Sequence, residues 1–236
     1  MSRPLYLEHD GKVLLVDLEG NGPQKAAMGR VGDISLRLPT ESEVRSMGIE
    51  WTERRVNRIK FGTDYHEVVY GFPEIEWPKS WAWKDKLISD GCVHPLAREC
   101  VYRSMHRVVS KVIIQNQRND VVMAKVKRGF FTGHWTLPGG FVDYAEHPLE
   151  GAMREVLEEL GVSVEITSDD LVQIDERIFT SEGIQFLSFT YTCTLQNEPT
   201  FDPKQDEIEE VRWFTIDEAL ARAASLFDVE ALRSLQ

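Results

Sequence analysis

The sequence predicts a mixed α/β (α+β) protein in which a smaller β-rich domain, residues 1–104, precedes a larger domain, residues 105–236. Two observations indicate this class. Runs of β-branched residues, which favour strands, recur from residue 107 onward and are separated by polar turns. Among them lies a segment typical of a helix, with a proline in its first turn and a glycine just beyond its end. The larger domain therefore combines strands with helices.

The larger domain opens with a predicted hairpin, Arg107–Asn116 and Asp120–Lys127, whose strands are joined by a polar turn. Pro148–Leu160 is the predicted helix, and Gly161 follows its last residue. Further strands are expected after this helix at Val162–Ile166, Leu171–Phe179, Ile184–Leu195 and Glu210–Thr215. A helix from Asp217 to about Leu235 closes the chain.

The N-terminal domain carries weaker patterns. Short strands are predicted at Val13–Leu18, Ile34–Leu38 and Glu67–Tyr70, with a turn at residues 20–23. A helix is predicted at Pro95–Met105, leading into the larger domain.

The composition excludes several classes of protein. A formal charge of −12 disfavours general binding of nucleic acid, because like charges repel. The three cysteines include no Cys-x-x-Cys pair, so a four-cysteine zinc site is excluded and reduced, cytosolic thiols are expected. No apolar run is long enough to cross a bilayer, and the N-terminus lacks an apolar signal core. We expect a cytoplasmic protein that binds neither nucleic acid nor membranes.

Three glutamates in the predicted helix carry the clearest chemical signal. Glu155, Glu158 and Glu159 have the spacing i, i+3 and i+4, so they point to one side of a helix. Crowded carboxylates repel one another, and their natural partner is a hard divalent cation. Mg²⁺ is typically completed by water and substrate phosphates, which indicates phosphoryl chemistry. The alternative for any isolated run of glutamates is a solvated acidic face.

Residues 140–162, GFVDYAEHPLEGAMREVLEELGV, resemble the Nudix signature without an insertion or a substitution. The fixed positions are Gly140, Glu146, Arg154, Glu155, Glu158, Glu159 and Gly161. The preceding Trp135–Gly140 segment matches the W-x-L-P-G-G lead-in common among Nudix enzymes. The resemblance covers about residues 105–236. It implies the Nudix fold, a mixed β-sheet sandwiched between helices, and hydrolysis of a diphosphate linkage with Mg²⁺, for which Mn²⁺ can substitute.

The resemblance also implies roles for the residues of the signature. Glu158 and Glu159 look like metal ligands, and Glu155 looks like a further ligand or the residue that activates water. The backbone carbonyl of Gly140 is implied as another ligand. Glu146 and Arg154 look like a structural ion pair that braces the loop against the helix.

Other candidates lie outside the signature. Glu207 is the first choice for an extra catalytic acidic residue near the final strand, followed by Glu210, with solvated charge as the alternative. Lys127 and Arg128 lie at the end of a predicted strand, before the glycine-rich loop, and could contact phosphates or be surface charges. Trp81 and Trp83 could stack on a substrate base, although core packing is the favoured explanation. Lys111 belongs to a local excess of positive charge, shared with Arg98, Arg103 and Arg107, that could meet substrate phosphates, although a solvated or interfacial face is favoured.

The substrate is less well defined than the reaction. The segment PGGFVDYAE is similar to the corresponding segment of enzymes that act on ADP-ribose. The proline that many of these enzymes have at the place of position 178 is missing. A nucleoside diphosphate derivative such as ADP-ribose is the first expectation, and a nucleoside triphosphate cleaved by a housekeeping pyrophosphohydrolase is the second. A non-catalytic Nudix ligand sensor is the competing class, which the intact signature disfavours. We also expect a homodimer in which the N-terminal domain forms the interface or completes the substrate pocket.

Overall fold

The computed structural model describes residues 3–26 and 29–236, so residues 1, 2, 27 and 28 of the predicted N-terminal domain lie outside the described residues. The chain divides into two compact units. The first combines Met1–Met105 with Ile178–Gln185, and the second combines His106–Arg177 with Phe186–Gln236. Within the described part of the chain, none of the helices is long and apolar enough to cross a membrane.

The first unit contains seven strands and three helices among its described residues. The strands are β1 (Leu5–His9), β2 (Lys12–Val13), β3 (Val16–Asp17), β4 (Leu36–Arg37), β5 (Trp51–Phe61), β6 (Asp64–Pro73) and β7 (Ala82–Trp83). The helices are α1 (Glu41–Ser46), α2 (Lys84–Leu87) and α3 (Pro95–Arg103). Five strands form a sheet in the order β5-β6-β1-β2-β7, in which β1 and β6 are parallel. Strands β3 and β4 form a separate pair.

The first unit shows where weak sequence patterns mislead. The predicted strand at Val13–Leu18 is interrupted, because β2 ends at its first residue and β3 covers only Val16–Asp17. The prediction at Glu67–Tyr70 captures the middle of β6, but the long strand β5 was not predicted. Five of its eleven residues are charged, and they mask the alternation of a strand with one solvated face.

The second unit is built around a seven-stranded mixed sheet. Its strands are β8 (Arg107–Gln115), β9 (Val121–Val126), β10 (Trp135–Thr136), β11 (Gly139–Phe141), β12 (Leu171–Ile178), β13 (Gln185–Thr194) and β14 (Ile208–Phe214). Its helices are α4 (Pro148–Leu160), α5 (Ile216–Arg222) and α6 (Leu226–Arg233). The strand order is β10-β9-β8-β13-β12, with β11 paired to β8 and β14 paired to β9. Strand β13 is parallel to β8, whereas β9 and β11 are antiparallel to it.

Helices cover both faces of this sheet because successive side chains of β8 point to opposite sides. Val112 and Ile114 pack with Val156 and Leu160 of α4. Ile113, between them, packs in a different cluster with residues of α5 and α6. The arrangement confirms the predicted mixed sheet sandwiched between helices.

Two predicted elements of the second unit are wrong. Val162–Ile166 is not a strand: its alternating residues are buried against the α4 side of the core, but the segment joins no sheet. The C-terminal helix is not continuous, because α5 ends at Arg222 and α6 begins at Leu226. At this break the Ala224 N–H donates to the Trp135 carbonyl oxygen at 3.3 Å, a contact that a continuous helix would not offer.

Candidate functional site

Helix α4 is fixed at both ends by local hydrogen bonds. His147 Nδ1 accepts from the Leu149 N–H, and the Glu150 carboxylate accepts from the His147 N–H, both at 3.2 Å. This is a capping box that satisfies two of the otherwise unpaired donors of the first turn. The helix ends where Gly161 takes a left-handed conformation with φ of 69°. These contacts fix the bounds of α4 at Pro148 and Leu160.

The buried side of α4 leaves its glutamates at the edge of the core. Gly151, Ala152, Val156 and Leu160 are buried. Glu155 and Glu159 lie beside this stripe and are half-buried, whereas Glu158 is exposed. The three carboxylates thus share one edge of the helix but differ in their access to water.

The Gly139–Gly140 bend of β11 lies directly against these carboxylates. Gly139 has φ of +139°, and a side chain there would overlap the Ser110 carbonyl oxygen. A Cβ on Gly140 would lie 2.6 Å from Glu155 Oε2. Only glycine lets the backbone approach its neighbours this closely at both positions.

Glu159 is held by the same bend. Its Oε2 accepts from the Gly139 N–H at 2.9 Å. Burial raises the pKa of Glu159 to about 7, and the charge of Glu155 adds to this rise, while the Gly139 hydrogen bond and the charge of Lys111 oppose it. Without a cation, this carboxylate is poorly solvated and surrounded by like charge.

Glu155 is in a similar electrostatic position. Burial raises its pKa, the hydrogen bond from Arg154 opposes the rise, and the charge of Glu158 adds to it. Arg154 Nη1 donates to Glu155 Oε1 at 2.8 Å and lies 3.4 Å from Glu158 Oε1. One guanidinium therefore neutralises only part of the charge of the glutamate cluster.

Arg154 also ties the loop after the bend to α4. Its Nε and Nη2 donate to the two oxygens of Glu146 at 2.8 and 2.9 Å, and Nη2 donates to the Phe141 carbonyl oxygen at 3.0 Å. Arg154 and the Asp143 N–H, which also donates to Glu146, lower the pKa of Glu146 to about 2. Glu146 is therefore an ionised anchor for this loop.

The donor set fits a hard cation, although it is not pre-assembled. Among residues 3–26 and 29–236, no group of three or more His, Cys, Asp or Glu side chains is already arranged to hold a metal ion. The raised pKa values of Glu155 and Glu159 mark carboxylates whose charge is incompletely compensated. A divalent cation with oxygen ligands would provide that compensation. The bare Gly140 backbone leaves room beside Glu155 that a Cβ would fill.

Comparison with known proteins identifies the family. A family model described as the NUDIX domain matches residues 105–235, more than half of the chain. The chain belongs to the NUDIX domain family. It is 32% identical over 139 residues to a MutT-like protein from Streptomyces ambofaciens, an alignment covering 58% of this chain and 82% of that protein. It is also 32% identical over 118 residues to the nucleoside triphosphatase NudI from Enterobacter sp. (strain 638), covering 46% of this chain and 82% of that one.

A solved structure agrees with this assignment. The MutT NUDIX hydrolase from Burkholderia pseudomallei superposes with a TM-score of 0.50 at 25% identity, covering 56% of this chain and 100% of that one. The protein is a Nudix hydrolase, and it acts on pyrophosphate linkages of nucleotide derivatives.

The Nudix domain brings Glu207 close to the glutamates of α4. The charge of Glu207 raises the pKa of both Glu155 and Glu159. Its own carboxylate contacts two cations, Arg128 at 2.6 Å and Lys204 at 3.3 Å. Glu207 thus lies near the cluster, but its oxygens already have partners.

The predicted phosphate-binding cations contact the same loop as Glu207. Lys127 Nζ donates to the Gln205 carbonyl oxygen at 2.6 Å, and Arg128 donates to Glu207. Both side chains are exposed, so a phosphate could replace these acceptors. They belong to the Nudix unit and lie at the end of β9.

The two tryptophans predicted to stack on a base belong to the first unit and differ from each other. Trp81 is only 5% exposed and packs with Leu5, Leu7 and other core residues, so the prediction that it binds substrate is wrong. Trp83 is 47% exposed, and the Lys12 ammonium lies 4.6 Å from the centre of its ring. Core packing, the explanation that the sequence favours for both, holds for Trp81 but not for the exposed Trp83.

Asp228 was not among the predicted site residues, and the predicted environment of Lys111 is wrong. Lys111 was expected on a solvated or interfacial face but is buried in the Nudix domain, where it forms an ion pair with Asp228 at 2.6 Å. The signal for Asp228 was its place in α6, three and four residues before the buried Ala231 and Leu232. A charged residue on the apolar side of a helix requires a buried partner.

Proposed function

We propose that this Nudix hydrolase cleaves the diphosphate linkage of a nucleoside diphosphate derivative such as ADP-ribose, with Mg²⁺ as its cofactor. One observation carries the proposal: the three α4 glutamates lie on one edge of the helix, and Glu155 and Glu159 lie against the Gly139–Gly140 bend. Carboxylate oxygens beside exposed backbone suit a hard cation that also binds phosphate.

In this proposal Glu155, Glu158, Glu159 and the Gly140 carbonyl oxygen hold the cation, and Mn²⁺ can substitute for Mg²⁺. When bound, such a cation acidifies a water ligand and offsets charge on the phosphates. The Gly139 N–H fixes one Glu159 oxygen at 2.9 Å, which leaves the other for coordination. Arg154 holds Glu155 and the Glu146 loop in a single arrangement.

The residue that accepts a proton from the attacking water is either Glu155 or Glu207. Glu155 lies against Gly140 and is oriented by Arg154, so its carboxylate is already beside the place proposed for the cation and its water. Glu207 must first exchange its contacts with Arg128 and Lys204. We therefore favour Glu155 as the base and Glu207 as a further acidic residue that orients water. Lys127 and Arg128 are proposed phosphate contacts.

A nucleoside triphosphate is the second candidate substrate. Its support is the 32% identity to the nucleoside triphosphatase NudI. The two reactions differ in their products, because a triphosphate releases pyrophosphate or phosphate whereas ADP-ribose releases AMP and ribose 5-phosphate. A non-catalytic ligand sensor is distinguished by binding without turnover.

The role of the first unit is also a proposal. We propose that it mediates formation of a homodimer or completes the substrate pocket, with Trp83 as an exposed aromatic residue available for a contact. The cytoplasmic location stays a prediction.

The test is a substrate panel in ¹⁸O-labelled water. ADP-ribose, other nucleoside diphosphate derivatives and nucleoside triphosphates are each incubated with Mg²⁺, Mn²⁺ or EDTA, and the labelled product is identified by mass spectrometry. We expect ADP-ribose to give AMP and ribose 5-phosphate with either metal and not with EDTA. Cleavage of triphosphates alone would favour the second candidate, and ligand binding without any product would favour the sensor.

Matched variants assign the site. Glu158→Gln and Glu159→Gln should each lower kcat at least about 100-fold, because each removes a carboxylate charge from the cation. Glu165→Gln, at an exposed glutamate outside α4, is the control and should keep wild-type kcat. Wild-type rates in both α4 variants, with unchanged circular dichroism, would refute the proposed ligands.

A further inference from the structure

The Nudix domain contains a buried ion pair on the sheet face opposite α4. Lys111 Nζ lies 2.6 Å from Asp228 Oδ1, and the two side chains are 8% and 0% exposed. Full burial raises the pKa of Asp228, while Lys111 and a backbone N–H oppose the rise. Removing two charges from water is costly, and apolar replacement of such pairs is often neutral or stabilising. Stability alone therefore does not explain why the pair is present.

The second oxygen of Asp228 has a specific backbone partner. Asp228 Oδ2 accepts from the Leu137 N–H at 3.0 Å. Leu137 is buried in the core, between β10 and β11, so its N–H would otherwise lack a solvent partner. The C-terminal helix α6 thus holds the chain two residues before the glycine bend.

Lys111, in the neighbouring strand β8, contacts the same segment. It lies opposite Gly139 in the β8–β11 register, and a Cβ on Gly139 would lie 3.0 Å from Lys111 Cγ. The Val112 N–H donates to the Pro138 carbonyl oxygen at 3.0 Å. Residues 137–139 are therefore fixed by the neighbouring strand β8 and by one carboxylate from α6.

The fixed segment ends at the proposed metal site. The Gly139 N–H is the donor that holds Glu159 at 2.9 Å, and the next residue, Gly140, lies against Glu155. A displacement of Leu137 would move both contacts, because only Pro138 separates Leu137 from Gly139. The structure thus links α6 to the glutamates of α4 through three consecutive residues of backbone.

We propose that Asp228 is a positioning residue for the metal site: by accepting the Leu137 N–H it fixes the Gly139–Gly140 bend against Glu159 and Glu155, and Lys111 is the counter-ion that keeps its carboxylate charged and oriented. The inference rests on the proposed function, since it concerns how the same glutamates are held. Outer contacts of this kind typically change metal affinity or activity 10- to 100-fold.

Two double variants isolate the hydrogen bond from the charge. Lys111→Met/Asp228→Asn removes both charges but keeps an oxygen that can accept from Leu137. Lys111→Met/Asp228→Leu has nearly the same shape and lacks that acceptor. Both avoid the unpaired buried charge that a single substitution would leave. Mn²⁺ affinity is measured by electron paramagnetic resonance of the free ion, together with kcat, KM and melting temperature.

We expect the Asn form to keep Mn²⁺ affinity within about 3-fold of wild type, and the Leu form to lose roughly 10-fold or more, with a fall in kcat larger than the change in KM. Equal Mn²⁺ affinity in the two double variants would overturn the positioning role. If the wild type itself binds no Mn²⁺, the proposed function fails, and this inference fails with it.

A measurement on the wild type does not depend on the stability of the Leu form. If Asp228 and the metal site are coupled, saturating Mg²⁺ should slow hydrogen exchange at the Leu137 and Gly139 amides by about 10-fold or more. Mg²⁺ binds the folded site, so its binding makes local opening of this segment rarer. The Val122 amide in the neighbouring strand β9 is the control. Exchange at Leu137 that Mg²⁺ slows no more than at Val122 would overturn the inference.

Discussion

At the scale of single residues, the two neighbouring glycines of the bend perform different tasks. A side chain at Gly139 would strike backbone, the Ser110 carbonyl oxygen, which cannot move without disturbing β8. A side chain at Gly140 would strike the end of a flexible side chain, the Glu155 carboxylate. The first glycine is therefore needed by the fold, and the second is needed by the position of Glu155.

This difference predicts that one alanine substitution mainly lowers activity and the other mainly lowers stability. Gly140→Ala should lower kcat by about 100-fold with little change in melting temperature, because it displaces a carboxylate by roughly 1 Å or more. Gly139→Ala should lower the melting temperature by roughly 5 °C or more, because backbone must shift. Thermal melts and steady-state kinetics measure both. A Gly140→Ala variant with wild-type kcat would show that Glu155 does not need its present position.

The Glu146–Arg154 pair predicts how stability changes with pH. The folded protein holds the pKa of Glu146 at about 2, below the ordinary value of 4.5, so ionised Glu146 stabilises the fold. This contribution is complete above about pH 4.5 and is lost as the pH falls toward 2.

Glu146→Gln tests this dependence. The melting temperature of the wild type should exceed that of the variant most at neutral pH, and the difference should shrink below about pH 4.5. Thermal melts at pH 7, 5, 4 and 3 give the measurement. A difference that stays constant over this range would mean that ionisation of Glu146 contributes nothing.

At the scale of secondary-structure elements, α4 owes its length to its caps. His147 and Glu150 close its start, and Gly161 ends it in the left-handed region. A Cβ on Gly161 would also lie 2.9 Å from the Asp202 backbone oxygen. The end of the helix is thus fixed by conformation and by a close neighbour together.

Gly161→Ala should destabilise the protein by more than the conformational cost alone. Gly62, with φ of +62° and nothing near its Cβ position, is the matched control. Gly62→Ala should cost about 1 kcal/mol of unfolding free energy for the left-handed conformation, and Gly161→Ala should cost more because of the Asp202 contact. Urea denaturation compares them. Equal losses would show that the Asp202 backbone moves aside freely.

The elements that the sequence predicts best are those fixed by local contacts. Helix α4 has the predicted bounds, Pro148–Leu160, because its caps and its apolar spacing are all within the segment. Val162–Ile166 has the alternation of a strand but no neighbouring strand to pair with, which no local pattern reveals. Asp228 acquires its partners only through tertiary packing, because Lys111 and Leu137 are distant in sequence. The spacing of the glutamates identified the site, whereas no local pattern indicated that Asp228 and Lys111 lie behind the glycine bend.

At the scale of the whole molecule, the first unit presents several large apolar side chains to solvent. They are Val56, Tyr65, Phe72, Trp77 and Trp83. Apolar side chains grouped on one surface are typical of sites that bind another protein, and Trp77 and Trp83 are neighbours because both rings lie against the Lys12 ammonium. This supports the proposed homodimer, with the first unit in the interface.

Light scattering at micromolar concentration tests the homodimer. We expect a mass twice that of the 27.1 kDa chain. Phe72→Glu should shift the protein toward monomer, because burying an unpaired charge in an interface is costly. Tyr144→Glu, at a fully exposed position of the second unit, is the control and should stay dimeric. A monomeric wild type would exclude the homodimer.

The tip of the β12–β13 hairpin, residues 178–185, belongs to the first unit and has consequences for how this gene can be recombined. The Arg58 N–H donates to the Ser181 carbonyl oxygen at 3.0 Å, and Arg103 pairs with Glu182 at 3.0 Å. Replacing residues 1–105 by an unrelated sequence would leave this tip without those partners. Recombination at that junction would therefore remove the hydrogen bond and the ion pair that hold the tip. Inheritance of residues 1–105 together with the hairpin keeps both contacts.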